Sequence, residues 1–137
     1  MNNESTFPKR EKLCSEKAIE KLFSYGSSFI AYPLRIVFFT ENEPDKALRF
    51  ASVLTSVSKK KFKRAVKRNR IKRLIREAYR LNKSNVITTL EKKGQHMDIA
   101  FLYLSNELPE YKDIEKAMLK AIAILTDKLT KECDGGN

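Results

Sequence analysis

Histidine, cysteine and long apolar runs are scarce in this 137-residue chain, and each shortage removes a class of function. His96 stands alone, so neither a histidine metal cage nor acid–base catalysis by a histidine pair is available within one chain. Cys14 and Cys133 sit near opposite ends; they form no zinc-type pair and no disulfide framework, and both are expected as free thiols. No apolar run approaches the roughly 18 to 20 residues that span a bilayer. The opening Met1-Asn2-Asn3-Glu4-Ser5 lacks the basic and then apolar regions of an export signal. A cytoplasmic location with no membrane partner is therefore expected. No P-loop, internal repeat or low-complexity linker occurs, and Asp98, Asp113 and Asp127 show no clustering that suggests a protein metal site.

Acidic side chains are missing from one stretch above all. Lys and Arg number 28 against 17 Asp and Glu, a formal net charge of +11. Residues 59–83 alone hold 13 of the basic side chains and the single acid Glu77. The other 112 residues carry 15 basic and 16 acidic side chains. A general adaptation for solubility would mix both signs over the surface, so a confined excess points to one face built for a polyanion. With 42% hydrophobic residues the chain can still bury a core. Its length suits one domain, with an ordered core over about residues 10–131 and frayed ends.

Apolar spacing predicts the elements. A helix is expected from about Ser15 to Tyr25, with Ser15 capping its start, Gly26 its end, and Ala18, Ile19, Leu22 and Phe23 along one stripe. Leu34 to Thr40 and Leu48 to Ser58 are rich in β-branched and aromatic residues. They read as two antiparallel strands joined by a hairpin through residues 41–46, the second run able to bend into two shorter strands. From about Arg64 to Leu81 the period becomes helical, with Ile71, Leu74, Ile75, Ala78 and Leu81 on one face. A weaker helix from Asn85 to Lys93 ends at Gly94, and Asp98 to Leu104, mostly apolar, reads as a central strand. Pro109 opens a long amphipathic helix from Glu110 to about Lys131, beyond which Cys133 to Asn137 are expected to fray. The predicted class is α+β, a small central sheet packed by helices in the order α-β-β-β-α-β-α. Phe29, Tyr32 and Phe50 are assigned to the core or its margin, and His96 to a loop.

On a helical wheel with Ile71 at zero, Asn69, Lys72, Arg73, Arg76 and Arg80 fall roughly 100° to 200° away, opposite the apolar face. Solvated helix faces normally mix signs to gain i,i+4 pairs, whereas this one offers Glu77 alone. Arginine forks bridge phosphate oxygens or stack on unpaired bases, so the composition favours nucleic acid over a membrane surface.

The run Ser56-Val57-Ser58-Lys59-Lys60, followed by Arg68-Asn69-Arg70-Ile71-Lys72-Arg73-Leu74-Ile75-Arg76-Glu77, resembles the signature of the bacterial ribonuclease P protein subunit. The other elements, from about residue 10 to 130, follow that family's order. Lys61-Phe62-Lys63-Arg64 departs from it, because this turn often contains glycine there. The resemblance implies a ribosomal-protein-S5-domain-2-like fold with a left-handed βαβ crossover, where general rules favour the right-handed form. It also implies that the protein has no catalytic residue and no metal of its own. A partner ribonuclease P RNA with bound Mg²⁺ would remove the 5′ leader of precursor tRNA, while the protein docks on that RNA and holds the leader; no obligate protein partner is implied. The RNA-docking residues would be Arg68, Asn69, Arg70, Lys72, Arg73, Arg76 and Arg80, with Lys59, Lys60, Arg64 and Lys67 as electrostatic support. Asn69 is equally suited to fixing the turn into the helix through the backbone. A leader-binding cleft would be lined by Ile19 and Phe23 with Val37 or Phe38, platforms that hold bases with little sequence demand. Alternation sends Ile36 and Phe38 to one face of the strand and Val37 and Phe39 to the other, and leaves open which faces the cleft. The alternative is a stand-alone RNA- or DNA-binding module of ribosomal type; a protein-only nuclease lacks the acids or histidines it would need.

Overall fold

Alternating and helical apolar patterns are realised in a computed structural model that describes residues 16–42 and 51–135. The elements are α1 (Glu16–Tyr25), β1 (Ser27–Ala31), β2 (Leu34–Asn42), β3 (Ala51–Val57), α2 (Ala65–Asn82), α3 (Ser84–Lys93), β4 (Gln95–Tyr103) and α4 (Tyr111–Gly135). Ser15, Cys14 and Phe50 lie outside the described residues, as does the whole connection between β2 and β3, residues 43–50. The helix expected to fray at Cys133 instead keeps its backbone helical to Gly135.

The sheet is four-stranded and mixed, in the order β1-β2-β4-β3. β1 and β4 both run antiparallel to β2, while β3 runs parallel to β4. This corrects the expected hairpin: β2 and β3 are opposite in direction but not partners, because β4 lies between them. β4 is buried on both faces, so the sheet's interior is where it loses most water; β3, with half-buried Leu54, Thr55 and Ser56, tolerates an edge. The hairpin partner of β2 is β1, a short strand with no predicted counterpart, joined to it through Tyr32-Pro33. β3 is one strand of seven residues and does not split.

The two sheet faces are covered unequally. On one, Leu34, Ile36 and Phe38 of β2, Val53 and Val57 of β3 and Met97, Ile99, Phe101 and Tyr103 of β4 meet α2, α3 and α4 in the main core. On the other, Leu22 of α1 closes over Val37 and Ala100, flanked by Ile19, Phe39, Leu54 and Leu102. Gly26 serves this second contact. A Cβ there would lie 2.3 Å from the Leu22 carbonyl oxygen and 2.8 Å from that of Phe38, so the chain can turn from α1 into β1 at that distance only without a side chain. Gly94 does end α3 as predicted, in the left-handed region at φ 63°.

Leu81 and His96 sit differently from their predicted places, and Tyr79 joins the core without having been assigned to it. Tyr79 is fully buried, its ring 5.8 Å from that of Phe101, while Leu81 is 51% exposed. The buried arc of α2 is therefore centred on Ile71, Ile75, Ala78 and Tyr79, rotated away from Leu81. His96, expected in a loop, is buried on β4 with Nε2 2.8 Å from Asp98 Oδ1 and 3.4 Å from Ser52 Oγ. The three polar groups satisfy one another across the β3–β4 pair. Both partners meet the same ring nitrogen, so this is no relay of the serine–histidine–aspartate kind.

Candidate nucleic-acid interface

The turn that leads from β3 into α2 is held without glycine. The Phe62 N–H donates to the Ser58 carbonyl at 3.0 Å and the Lys60 N–H to Ser58 Oγ at 3.1 Å. Phe62 is buried with its ring 6.1 Å from that of Tyr103, and Lys61 Nζ bonds the Leu104 carbonyl. An apolar anchor and local hydrogen bonds thus hold the turn. Arg68 turns back onto the same segment, its Nη1 donating to the carbonyls of Phe62 and Lys63 at 2.8 Å each. Asn69, by contrast, is exposed and its side chain makes no hydrogen bond among the described residues, so fixing the turn falls to Arg68.

α2 then begins on Arg64 in extended conformation (φ −82°, ψ 128°), with no side-chain cap and no acid in its first turn. The free N–H groups of that turn and the positive end of the helix dipole add to the surrounding cations, an arrangement that a bound anion stabilises.

The predicted docking residues occupy distinct settings. Lys59, Lys60, Arg64, Lys67, Arg70 and Arg73 are exposed. Lys72 is half-buried, and Arg76 leans on the sheet edge with Nη1 3.3 Å from Thr55 Oγ1 of β3. Arg80 forms a two-pronged pair with Glu77, Nε to Oε1 at 3.2 Å and Nη2 to Oε2. That pair holds the Glu77 carboxyl below its ordinary value and the Arg80 guanidinium above its own. Arg68, Arg76 and Arg80 therefore already have protein partners, whereas Lys67, Arg70 and Arg73 project outward.

The strand ambiguity is also resolved. Val37 and Phe39 face α1, and Phe38 faces the main core, buried with its ring 6.0 Å from that of Phe29. Phe38 is thus withdrawn from the predicted cleft: the α1 side of the sheet holds Val37 alone of the two. Val37 is itself floor, buried under α1, while Ile19 is half-buried and packs on the same cluster; Phe23, next to Leu22 on α1, is 46% exposed. Half-buried Phe39, Leu54 and Leu102 extend this surface and were missed from sequence. Alternation from Val37 already implied Phe39; Leu54 and Leu102 join it only through the pairings Leu54↔Ala100 and Arg35↔Leu102. Lys21 stands over the Phe39 ring, 5.2 Å from its centroid, and 2.6 Å from Glu41 Oε2. Phe29 is marginal to the core as expected, but Tyr32 is 70% exposed.

Among the described residues no group of three or more His, Cys, Asp or Glu side chains is placed to hold a metal ion, and no helix is long and apolar enough to cross a membrane.

Comparison with known proteins bears on the family and the fold. The family model described as Ribonuclease P matches residues 7–126. A ribonuclease P protein component from Porphyromonas gingivalis is 44% identical over 124 residues, 89% of each chain. One from Chlorobaculum tepidum is 38% identical over 104 residues, covering 72% of this chain and 68% of that one. In fold, the chain is similar to the Staphylococcus aureus RNase P protein, with a TM-score of 0.64 at 23% identity over 83% of this chain and 94% of that one. The Thermotoga maritima RNase P protein is also similar, with a TM-score of 0.64 at 19% identity over 82% and 96%.

Proposed function

The chain belongs to the ribonuclease P protein family and to tRNA processing, and on that premise we propose a division of labour between its two surfaces. The exposed cations of α2 and its entry turn dock on the catalytic RNA. The α1 side of the sheet, lined by Ile19, Phe23, Phe39, Leu54 and Leu102, holds the 5′ leader of precursor tRNA. The observation that carries the first assignment is the set of Lys67, Arg70 and Arg73 projecting beside an uncapped helix start with no acid in its first turn. Cations so close repel one another, and an RNA backbone that relieves the repulsion gains binding free energy by doing so. Guanidinium forks on a rigid helix fix register as well as affinity.

The protein's own contribution is to bind and orient. In this proposal the bond is broken by the RNA, Mg²⁺ is held mainly by RNA phosphates, and no protein side chain takes a proton. The apolar and aromatic lining of the α1 side suits a single strand whose bases vary, because every base has a π face. The site of action is the cytoplasm, with the precursor tRNA pool.

The test is cleavage of a 5′-extended precursor tRNA at low Mg²⁺ by a bacterial ribonuclease P RNA, with and without this protein, and by the protein alone. Stimulation only when RNA and protein are both present is the expected result. Cleavage by protein alone would overturn the mechanism, and tight binding to unrelated RNA without stimulation would favour a stand-alone binding module.

A further inference from the structure

At the end of the sheet where β2 begins and β4 stops, a groove of about 590 Å³ opens between the β1–β2 turn and the start of α4. Its apolar walls include the largely exposed Tyr32 and the half-exposed Leu108, with Tyr103 buried beside them. The Tyr103 hydroxyl donates to the Glu107 carbonyl at 2.5 Å, which steadies the loop between β4 and α4. Lys116 and Lys120, one helical turn apart on α4, supply cations, and Glu107 a carboxylate. None of these residues belongs to the α2 surface or to the α1 side of the sheet.

The groove nevertheless adjoins the entry to α2. The Leu104 N–H donates to the Pro33 carbonyl at 2.8 Å, and the Leu104 carbonyl accepts from Lys61. Phe62 of the same turn packs on Tyr103. Lys61 and Phe62 of the cationic turn thus touch Leu104 and Tyr103, at the end of β4 that leads into the groove, and the lysines of α4 line the groove itself.

An exposed aromatic ring beside ammonium groups is a stacking platform for an unpaired base with flanking phosphates. Carboxylates repel phosphate but accept from exocyclic amino groups, so an acid in such a site selects among bases. Asp113, the groove's second acid, already takes the Glu110 N–H on Oδ2 at 3.2 Å, which leaves Glu107 for that task. The volume lies within the roughly 300 to 1,000 Å³ typical of small-ligand sites.

We propose that this groove takes an unpaired, amino-bearing nucleotide of the RNA that docks on α2. Tyr32 stacks on the base, Glu107 accepts from its amino group, and Lys116 and Lys120 hold the neighbouring phosphates. The proposal rests on the docking assigned to α2, since the cationic turn brings the strand to the groove.

The test titrates the full-length protein with r(CCCCC), whose bases carry amino groups, with r(UUUUU), whose bases do not, and with ribonuclease P RNA. The wild type is expected to bind r(CCCCC) more tightly. Tyr32→Phe keeps that affinity and Tyr32→Ala loses about tenfold, as one lost stacking contact implies. Glu107→Gln brings the two pentamers together, and Lys116→Gln with Lys120→Gln weakens both alike. Unchanged r(CCCCC) binding by Tyr32→Ala, with an unchanged thermal melt, overturns the proposal, as does the absence of any preference between the pentamers. Arg70→Glu with Arg73→Glu separates the two claims. If that variant binds ribonuclease P RNA like the wild type, the α2 docking fails; if it loses that RNA but keeps the pentamer preference, both claims stand.

Discussion

The outer face of α2 and the α1 side of the sheet differ in what surrounds their side chains. On α2, Lys67, Arg70 and Arg73 project beside a single acid that is already bonded to Arg80. On the α1 side, apolar groups are half-covered by a helix and the cation Lys21 has both Glu41 and the Phe39 ring within reach. Unneutralised charge acts over a Debye length, about 8 to 10 Å near physiological salt, and weakens as salt rises. Apolar and stacking contacts act only on touching, and salt hardly alters them. The chain thus carries one surface suited to catching a large polyanion and one suited to holding a flexible strand once it has arrived.

The largest expected effect breaks the first surface. Arg70→Glu with Arg73→Glu should lower affinity for ribonuclease P RNA about 100-fold or more at low salt. The slope of log affinity against log salt should flatten by about 2, roughly one unit per lost phosphate contact. Both residues are exposed and their reversal relieves repulsion among neighbouring cations, so the melting temperature should not fall; a filter-binding series at several salt concentrations reads the affinity and its slope, and a thermal melt the stability. Next in size, Phe23→Ala should weaken leader binding about tenfold, the scale of one lost base-stacking contact, with no change in salt slope. Comparing precursor and mature tRNA as competitors reads that effect, and the partial exposure of Phe23 predicts a small change in the melt beside it.

Arg68→Gln sharpens the division within α2. Its hydrogen bonds to the Phe62 and Lys63 carbonyls make it part of the scaffold, so the change should cost about 1 kcal/mol of stability, read by urea denaturation. The smallest effect concerns Glu77, whose carboxyl sits below the ordinary 4.5 chiefly through its hydrogen bond to Arg80. A depressed carboxyl contributes stability above its unfolded value, and that contribution is lost as pH falls through the lower folded value. The pair is solvent-exposed, so the melting temperature of Glu77→Gln should fall only slightly below wild type at pH 7, and the gap should close below pH 4.5.

Much of this arrangement was legible in the residues. The helical period of α2 and α4, the centrality of an apolar β4 and the confinement of positive charge all follow from local pattern. β1 was not, because Ser27 and Ser28 interrupt its apolar alternation and only pairing with β2 makes it a strand. The separation of β2 from β3 was hidden too, since the intervening β4 comes from some 40 residues further along and its burial decides the order. For the candidate site, composition marked a cationic surface but not the settings of individual arginines. Arg76 meets Thr55 and Arg68 meets the turn carbonyls only after the chain has folded. Phe38 was offered beside Val37 because alternation separates faces without naming them; the position of α1 chose Val37.

The division between the two surfaces is tested most directly by measuring, at two salt concentrations, how much more tightly the assembled protein–RNA complex binds 5′-extended tRNA than mature tRNA. Wild type and an Ile19→Ala, Phe23→Ala variant are compared, with assembly verified for each. The variant should assemble normally and lose most of the preference for the extended form at both salt concentrations. An undiminished preference, or a loss that tracks salt as RNA docking does, would contradict a leader site on the α1 side of the sheet.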